Sequence, residues 1–168
     1  SILDQHSESY RKIRNTFRYL LGNLNDNFEE TNLKTIDIQK LPELEQLILH
    51  KIYELNEKFK KYFKDYDFHN LYKELLKFCT VDLSAFYFDI RKDSLYCDNK
   101  NSERRKACLL LLNIILSVLI RWFAPILSFT TEEIYKLLLD NNKSIHLEKF
   151  KKYPQKFKNE NLNEKWAE

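Results

Sequence analysis

Apolar residues recur at helical steps along most of this chain. From Ser7 to Phe28, Ile13, Phe17, Leu20, Leu21, Leu24 and Phe28 stand mostly three or four apart, which predicts a helix with one apolar stripe. A polar, irregular stretch follows, Glu29 to Lys40. Pro42 suits the first turn of a second helix, with Glu43 and Glu45 near its positive end. The stripe Leu44, Ile48, Ile52, Leu55, Phe59, Tyr62 and Tyr66 is the clearest in the sequence. Lys58, Lys60, Lys61 and Lys64 decorate its C-terminal half, where cations suit the dipole. Tyr66-Asp67 reads as a turn into a third helix that buries Phe68, Leu71, Tyr72, Leu75, Phe78 and Cys79. The aromatic run Val81 to Ile90 admits a strand. Helix is preferred, because Asp82, Phe86, Asp89, Lys92 and Asp93 carry the helical period on, with a boundary or kink near Thr80.

Asp98 to Ser102 reads as a loop, and Ser102 as an N-cap with Glu103 in the first turn. Ala107 to Ala124 is the most apolar segment, yet Asn113, Ser117 and Arg121 cross it as one polar stripe at steps of four. Arg121 would be costly in lipid, so this is the central helix of a bundle rather than a membrane span. Pro125 ends it, and Thr130 with Glu133 forms a capping box for a final helix through Leu139. Ser144 to Leu147 is a short extended piece, and a tail carrying Lys149, Lys151, Lys152, Lys156 and Lys158 follows. The expectation is an all-α antiparallel bundle of about five helices over residues 1–147, then a lysine-rich connector over 148–168.

Composition narrows the function. A length of 168 residues suits one domain, and 43% hydrophobic with 14% aromatic residues suits a folded one. Charged residues reach 32%, but the net charge is only +3, so any site for a polyanion must be a local patch. Gly22 is the single glycine, which leaves no Gly-rich phosphate loop, dinucleotide fingerprint or nucleophile elbow. A chain that starts at Ser1 and lacks methionine is expected to be a piece of something longer, or a processed form. Cys79, Cys97 and Cys108 show no Cys-x-x-Cys spacing and are expected as buried thiols in a reducing, cytoplasmic setting. The four histidines are scattered, so no metal site is expected.

The most informative chemistry lies in the first helix. Arg11, Asn15 and Arg18 share one side of the cylinder, and Arg14 flanks them. Guanidinium groups there offer planar, multi-donor contacts to an anion such as phosphate; spacing alone favours an ordinary solvated face. Arg104 and Arg105, at a helix start, oppose the local dipole, as solvated cations or as ligands of an anionic partner. Lys92 stands within ion-pair reach of Asp89 and Asp93 on its own helix. Trp122 reads as core rather than as a stacking platform.

Three segments together give a resemblance. Ser7-Glu-Ser-Tyr-Arg-Lys-Ile-Arg-Asn-Thr16 runs on to Leu20-Leu21 and Asn23-Leu24. Phe78-Cys-Thr-Val-Asp-Leu-Ser-Ala-Phe-Tyr87 is followed by Lys92-Asp-Ser-Leu-Tyr96. Ala124-Pro-Ile-Leu-Ser-Phe-Thr-Thr-Glu-Glu-Ile134 precedes Ser144-Ile-His-Leu147. In residues, order and separation they resemble the C-terminal helical domain of the isoleucyl-tRNA synthetases, over Ile2 to Leu147. Past Leu147 the likeness weakens, with Phe150 where family members often carry tryptophan.

That resemblance implies a class I synthetase anticodon-binding domain, which packs against the anticodon stem-loop of isoleucine tRNA and follows a catalytic domain in the same chain. The family's His-x-Gly-His and Lys-Met-Ser-Lys-Ser signatures are absent, as is the zinc-binding cysteine cluster of many bacterial members. The chain alone is therefore expected not to be catalytic. ATP, magnesium and zinc would belong to the parent enzyme, and the fragment is expected to be monomeric, off the membrane, with no cofactor. The RNA-facing residues implied are Arg11, Arg14, Asn15, Arg18, Lys92, Arg104 and Arg105. Other readings stay open: the equivalent domain of a valine or leucine enzyme, a protein-interaction bundle, or a hydrolase using Asp4, His6 and a serine.

Overall fold

The computed structural model describes residues 2–24, 28, 32–97, 99, 102–124, 162 and 166. Helix α1 spans Ile2–Leu24, starting at Ile2 rather than Ser7. Ile13, Phe17, Leu20 and Leu24 are buried and Leu21 half-buried, as the stripe requires. Phe28 packs on the core from outside the helix.

The stretch expected to be polar and irregular contributes to the core. Two 3₁₀ turns, Leu33–Thr35 and Ile38–Lys40, aim Ile36 and Ile38 inward. Turns this short carry no repeating stripe, so two isolated isoleucines give no periodic signal. Helix α2, Glu43–Lys64, follows with Pro42 as its N-cap, one position before the first turn; the Pro42 carbonyl accepts the Gln46 N–H at 3.1 Å. Leu44, Ile48, Ile52, Leu55 and Phe59 are buried as expected, and Tyr62 is half-buried. Tyr66 is not: it is 80% exposed. The helix has ended at Lys64, and Tyr66 adopts a left-handed φ of 55° that turns it away from the stripe.

Helix α3 (Phe68–Lys77), a π segment (Phe78–Tyr87) and α4 (Phe88–Tyr96) form one unbroken rod, since every junction keeps right-handed helical angles. Within the π segment bonds reach five residues back, as where the Phe88 N–H meets the Leu83 carbonyl. The irregularity expected near Thr80 is therefore a change of helical pitch. Cys79, Leu83 and Tyr87, at steps of four, are buried.

Helix α5, Glu103–Phe123, is the centre of the bundle. Ser102 caps it, accepting the Arg105 N–H at 3.4 Å. The helix is long and apolar enough to cross a membrane, but α1, α2 and α4 pack around it and bury most of its length. Along its polar stripe, Asn113 donates to the Leu109 carbonyl at 3.2 Å, and Arg121 donates to Ser117 Oγ. Trp122 is core, as expected, and its ring N–H donates to the buried Asn56 side chain at 3.1 Å.

Among the described residues there are thus four helical rods and no strand, where about five helices were expected. Pro125, the Thr130–Glu133 capping box, the piece Ser144–Leu147 and the lysine tail, with the boundary between 147 and 148, lie outside the described residues. Beyond them, Leu162 is buried in the core and Trp166 sets its ring edge-on to Phe86, 5.8 Å away. Cys79 and Cys108 are buried thiols, but Cys97, just past the end of α4, is exposed.

Candidate nucleic-acid interface

Aromatic contacts on the buried side of α1 set which side faces out. Tyr19 stacks on Phe88 of α4 at 4.2 Å, and Phe17 meets Phe123 of α5 edge-on at 6.1 Å. Burial pushes the Tyr19 hydroxyl up to about 12, so that anchor stays neutral. With those rings held, Arg11, Arg14, Asn15 and Arg18 are all exposed on the other side. The structure therefore brings together the four α1 residues that the sequence singled out.

The row is strongly cationic. Between Glu8 and Arg18 lie Arg11, Lys12, Arg14 and Arg18, against Glu8 as the one carboxylate. Glu8 stands 3.6 Å from Arg11 and 4.0 Å from Lys12, with all three side chains more than half exposed. Such pairs contribute little in water and leave both cations able to meet a stronger anion. The Arg14 guanidinium lies 5.8 Å from the Tyr10 ring centre, a weak cation–π contact that holds it in place without using its donors for an acid. Lys12 was missed in the sequence because it stands on the edge of the face, about 100° round from Arg11; its signal was simply a cation inside the same run.

The other candidates belong elsewhere. Lys92, exposed on α4, pairs with Asp89 at 3.5 Å, as its spacing allowed. Arg104 is exposed in the first turn of α5. Arg105 is half-buried and donates to the Leu95 carbonyl, fastening the start of α5 to the end of α4. Part of its donor set is thus committed to the fold. Behind α4, the Arg91 guanidinium closes on the Glu45 carboxylate at 2.7 and 3.1 Å. Burial works against the Arg91 charge, but Glu45, with Tyr87 and Cys108 adding to it, leaves Arg91 above its ordinary range.

A different cluster, between α2 and the rod of α3 and the π segment, lines a cavity of about 140 Å³ with Lys51, Lys58, Lys77, Glu54, Glu74 and Asp82. Its charges balance and pair, Lys51 with Asp82 at 3.7 Å and Lys58 with Glu74 at 3.6 Å, so it attracts neither sign of ligand. Among the described residues no three His, Cys, Asp or Glu side chains converge as metal ligands would.

An exposed cationic helix on an all-helical bundle is what the family comparison meets. Residues 45–168 match the family described as the anticodon-binding domain of tRNA ligase. The chain belongs to that family. It is also 68% identical, over its whole length, to the isoleucine–tRNA ligase of Pelagibacter ubique, of which it covers 19%. Against the isoleucine–tRNA ligases of Bartonella henselae and Agrobacterium fabrum it is 44% and 42% identical over 98% and 99% of its residues, covering 17% of each. The chain thus spans under a fifth of the length of the curated relatives it matches. The family match begins at Glu45 and so excludes the α1 row, whereas the Pelagibacter alignment includes it.

Proposed function

We propose that this domain holds the anticodon stem-loop of isoleucine tRNA for an isoleucine–tRNA ligase, and does so across the exposed face of α1. The observation that carries the reading is that row: four cations beside one exposed carboxylate on a helix whose other side is locked into the core. Arg11, Arg14 and Arg18 would contact phosphate and set the register of the RNA, with Asn15 between them. Lys92, Arg104 and the uncommitted donors of Arg105 would offer a second, weaker contact at the α4–α5 end. None of these groups makes or breaks a bond. Securing the far end of a tRNA orients its acceptor end at a catalytic domain elsewhere in the parent ligase, where ATP and magnesium would act, so a domain without a reacting group can govern the rate. Isoleucine relatives at 42–68% identity favour that ligase over its valine and leucine counterparts.

Binding of isoleucine and valine anticodon stem-loops across a salt series tests this. The expected result is a steep negative dependence of log affinity on log salt, with preference for the isoleucine stem-loop. Arg11→Gln and Arg18→Gln should each flatten the slope by roughly 0.7–0.9 without loss of helicity. Salt-independent binding, or arginine variants indistinguishable from the parent, would remove α1 from the interface.

A further inference from the structure

Gly22 is the only glycine in the chain, and among the described residues no left-handed backbone or tight packing accounts for it. It lies inside α1 without a positive φ. A Cβ placed on it meets no heavy atom within 4 Å, so no neighbouring element among the described residues needs the space. Glycine weakens a helix relative to alanine, and nothing within the described protein repays that weakness.

Its place on the helix is informative. Arg11, Asn15, Arg18 and Gly22 follow one another at steps of four, three and four, and all are exposed. At 3.6 residues per turn, Gly22 lies within about 20° of Arg11 around the cylinder. The cationic row therefore ends in a notch where the helix backbone is bare. Among the described residues nothing fills the space beside Gly22, which stands at the end of a row that attracts anions. A convex, negatively charged ridge drawn to the arginines gains from that room, because it can settle closer to the helix and shorten its distance to the Arg18 guanidinium one turn away.

We infer that Gly22 is the point of closest approach between α1 and the sugar–phosphate backbone of the bound RNA. The inference rests on the RNA reading above and adds where on α1 the strand runs nearest. It is tested with Gly22→Ala, Gly22→Ser and Gly22→Leu in the intact protein, titrated with an isoleucine tRNA transcript, with Arg11→Gln alongside. Affinity should fall in order of side-chain size, about threefold for alanine and serine and roughly tenfold or more for leucine, since filling a close contact is penalised by volume. Thermal stability of the RNA-free protein should rise for alanine over the same series. Leucine binding as tightly as glycine overturns the inference. An equal loss for alanine and leucine also overturns it, because it points to backbone flexibility rather than space. If Gly22→Leu binds normally while Arg11→Gln weakens binding, the RNA-facing reading survives and only the contact at Gly22 falls. If neither matters, the α1 reading falls as well.

Discussion

Arg91 and Glu45, 46 residues apart in the chain, meet as a bidentate pair at 2.7 and 3.1 Å, with the Glu45 side chain fully buried. The pair ties the first turn of α2 to the middle of α4. Glu45 also sits where a carboxylate suits the helix dipole, so it answers two positive features at once. Removing one partner strands the other charge: Glu45→Ala or Arg91→Ala should lose about 3–5 kcal/mol. A double replacement, Glu45→Leu with Arg91→Met, should recover most of that loss. Urea unfolding of the three variants checks the claim, and additive losses in the double variant would contradict it.

The end of α2 offers a gain in stability. The Tyr66 N–H bonds to the Phe63 carbonyl at 3.2 Å and the Asp67 N–H to the Tyr62 carbonyl at 2.8 Å, the paired bonds of a Schellman motif. Tyr66 occupies the left-handed position that glycine fills without strain, and its side chain is 80% exposed. Tyr66→Gly should therefore stabilise by about 0.5–1 kcal/mol, read as a higher melting temperature. A lower one would show that the tyrosine side chain matters more than its backbone strain.

Asp82 should respond to pH in a defined direction. Burial raises its pKa above the ordinary carboxylate range, although Lys51 and Lys77 pull it down. An acid whose folded pKa is raised binds its proton more tightly when folded. Its contribution to stability is complete below the unfolded value of about 3.9 and fades as pH rises through the folded value. Asp82→Asn should thus equal or exceed the parent in stability at pH 7, and the difference should shrink on acidification. A variant markedly weaker at pH 7 would mean that the Lys51 pair outweighs the burial penalty.

The three thiols should separate cleanly by reactivity. Burial raises Cys79 to about 12 and Cys108 to about 11, which leaves almost no thiolate at neutral pH. Cys97 is exposed. Mass spectrometry after brief alkylation should show one modified residue, Cys97, and all three only in denaturant. Early labelling of Cys108 would indicate that α4 and α5 part more easily than their packing suggests.

Much of this architecture was legible because α1 and α2 each bury one broad stripe, while the rod and α5 repeat apolar residues for many turns. The exposed arginines were legible for the same reason, since a stripe defines its opposite side. What escaped detection had no period to carry it. Ile36 enters the core just after one turn of three residues, and Ile38 at the start of another. Glu45 looked like a dipole partner near a helix start, and nothing local announces that Arg91 waits 46 residues on. Cys97 was grouped with its buried namesakes, yet it follows the last turn of α4 and no stripe reaches it. Arg105 read as a surface cation because its acceptor is a backbone carbonyl, Leu95, which no side-chain pattern records.

The π segment makes one stretch of the chain sensitive to length rather than to composition. Over 78–87 each turn takes up more residues than in the α-helices before and after it, and that count sets which side of α4 faces α1 and α2. Deleting a single residue there would turn everything downstream by roughly a quarter of a turn, swinging Phe88 from beneath Tyr19 and Arg91 away from Glu45. Side chains in that stretch can be exchanged within their size, but relatives that keep this bundle must keep its count.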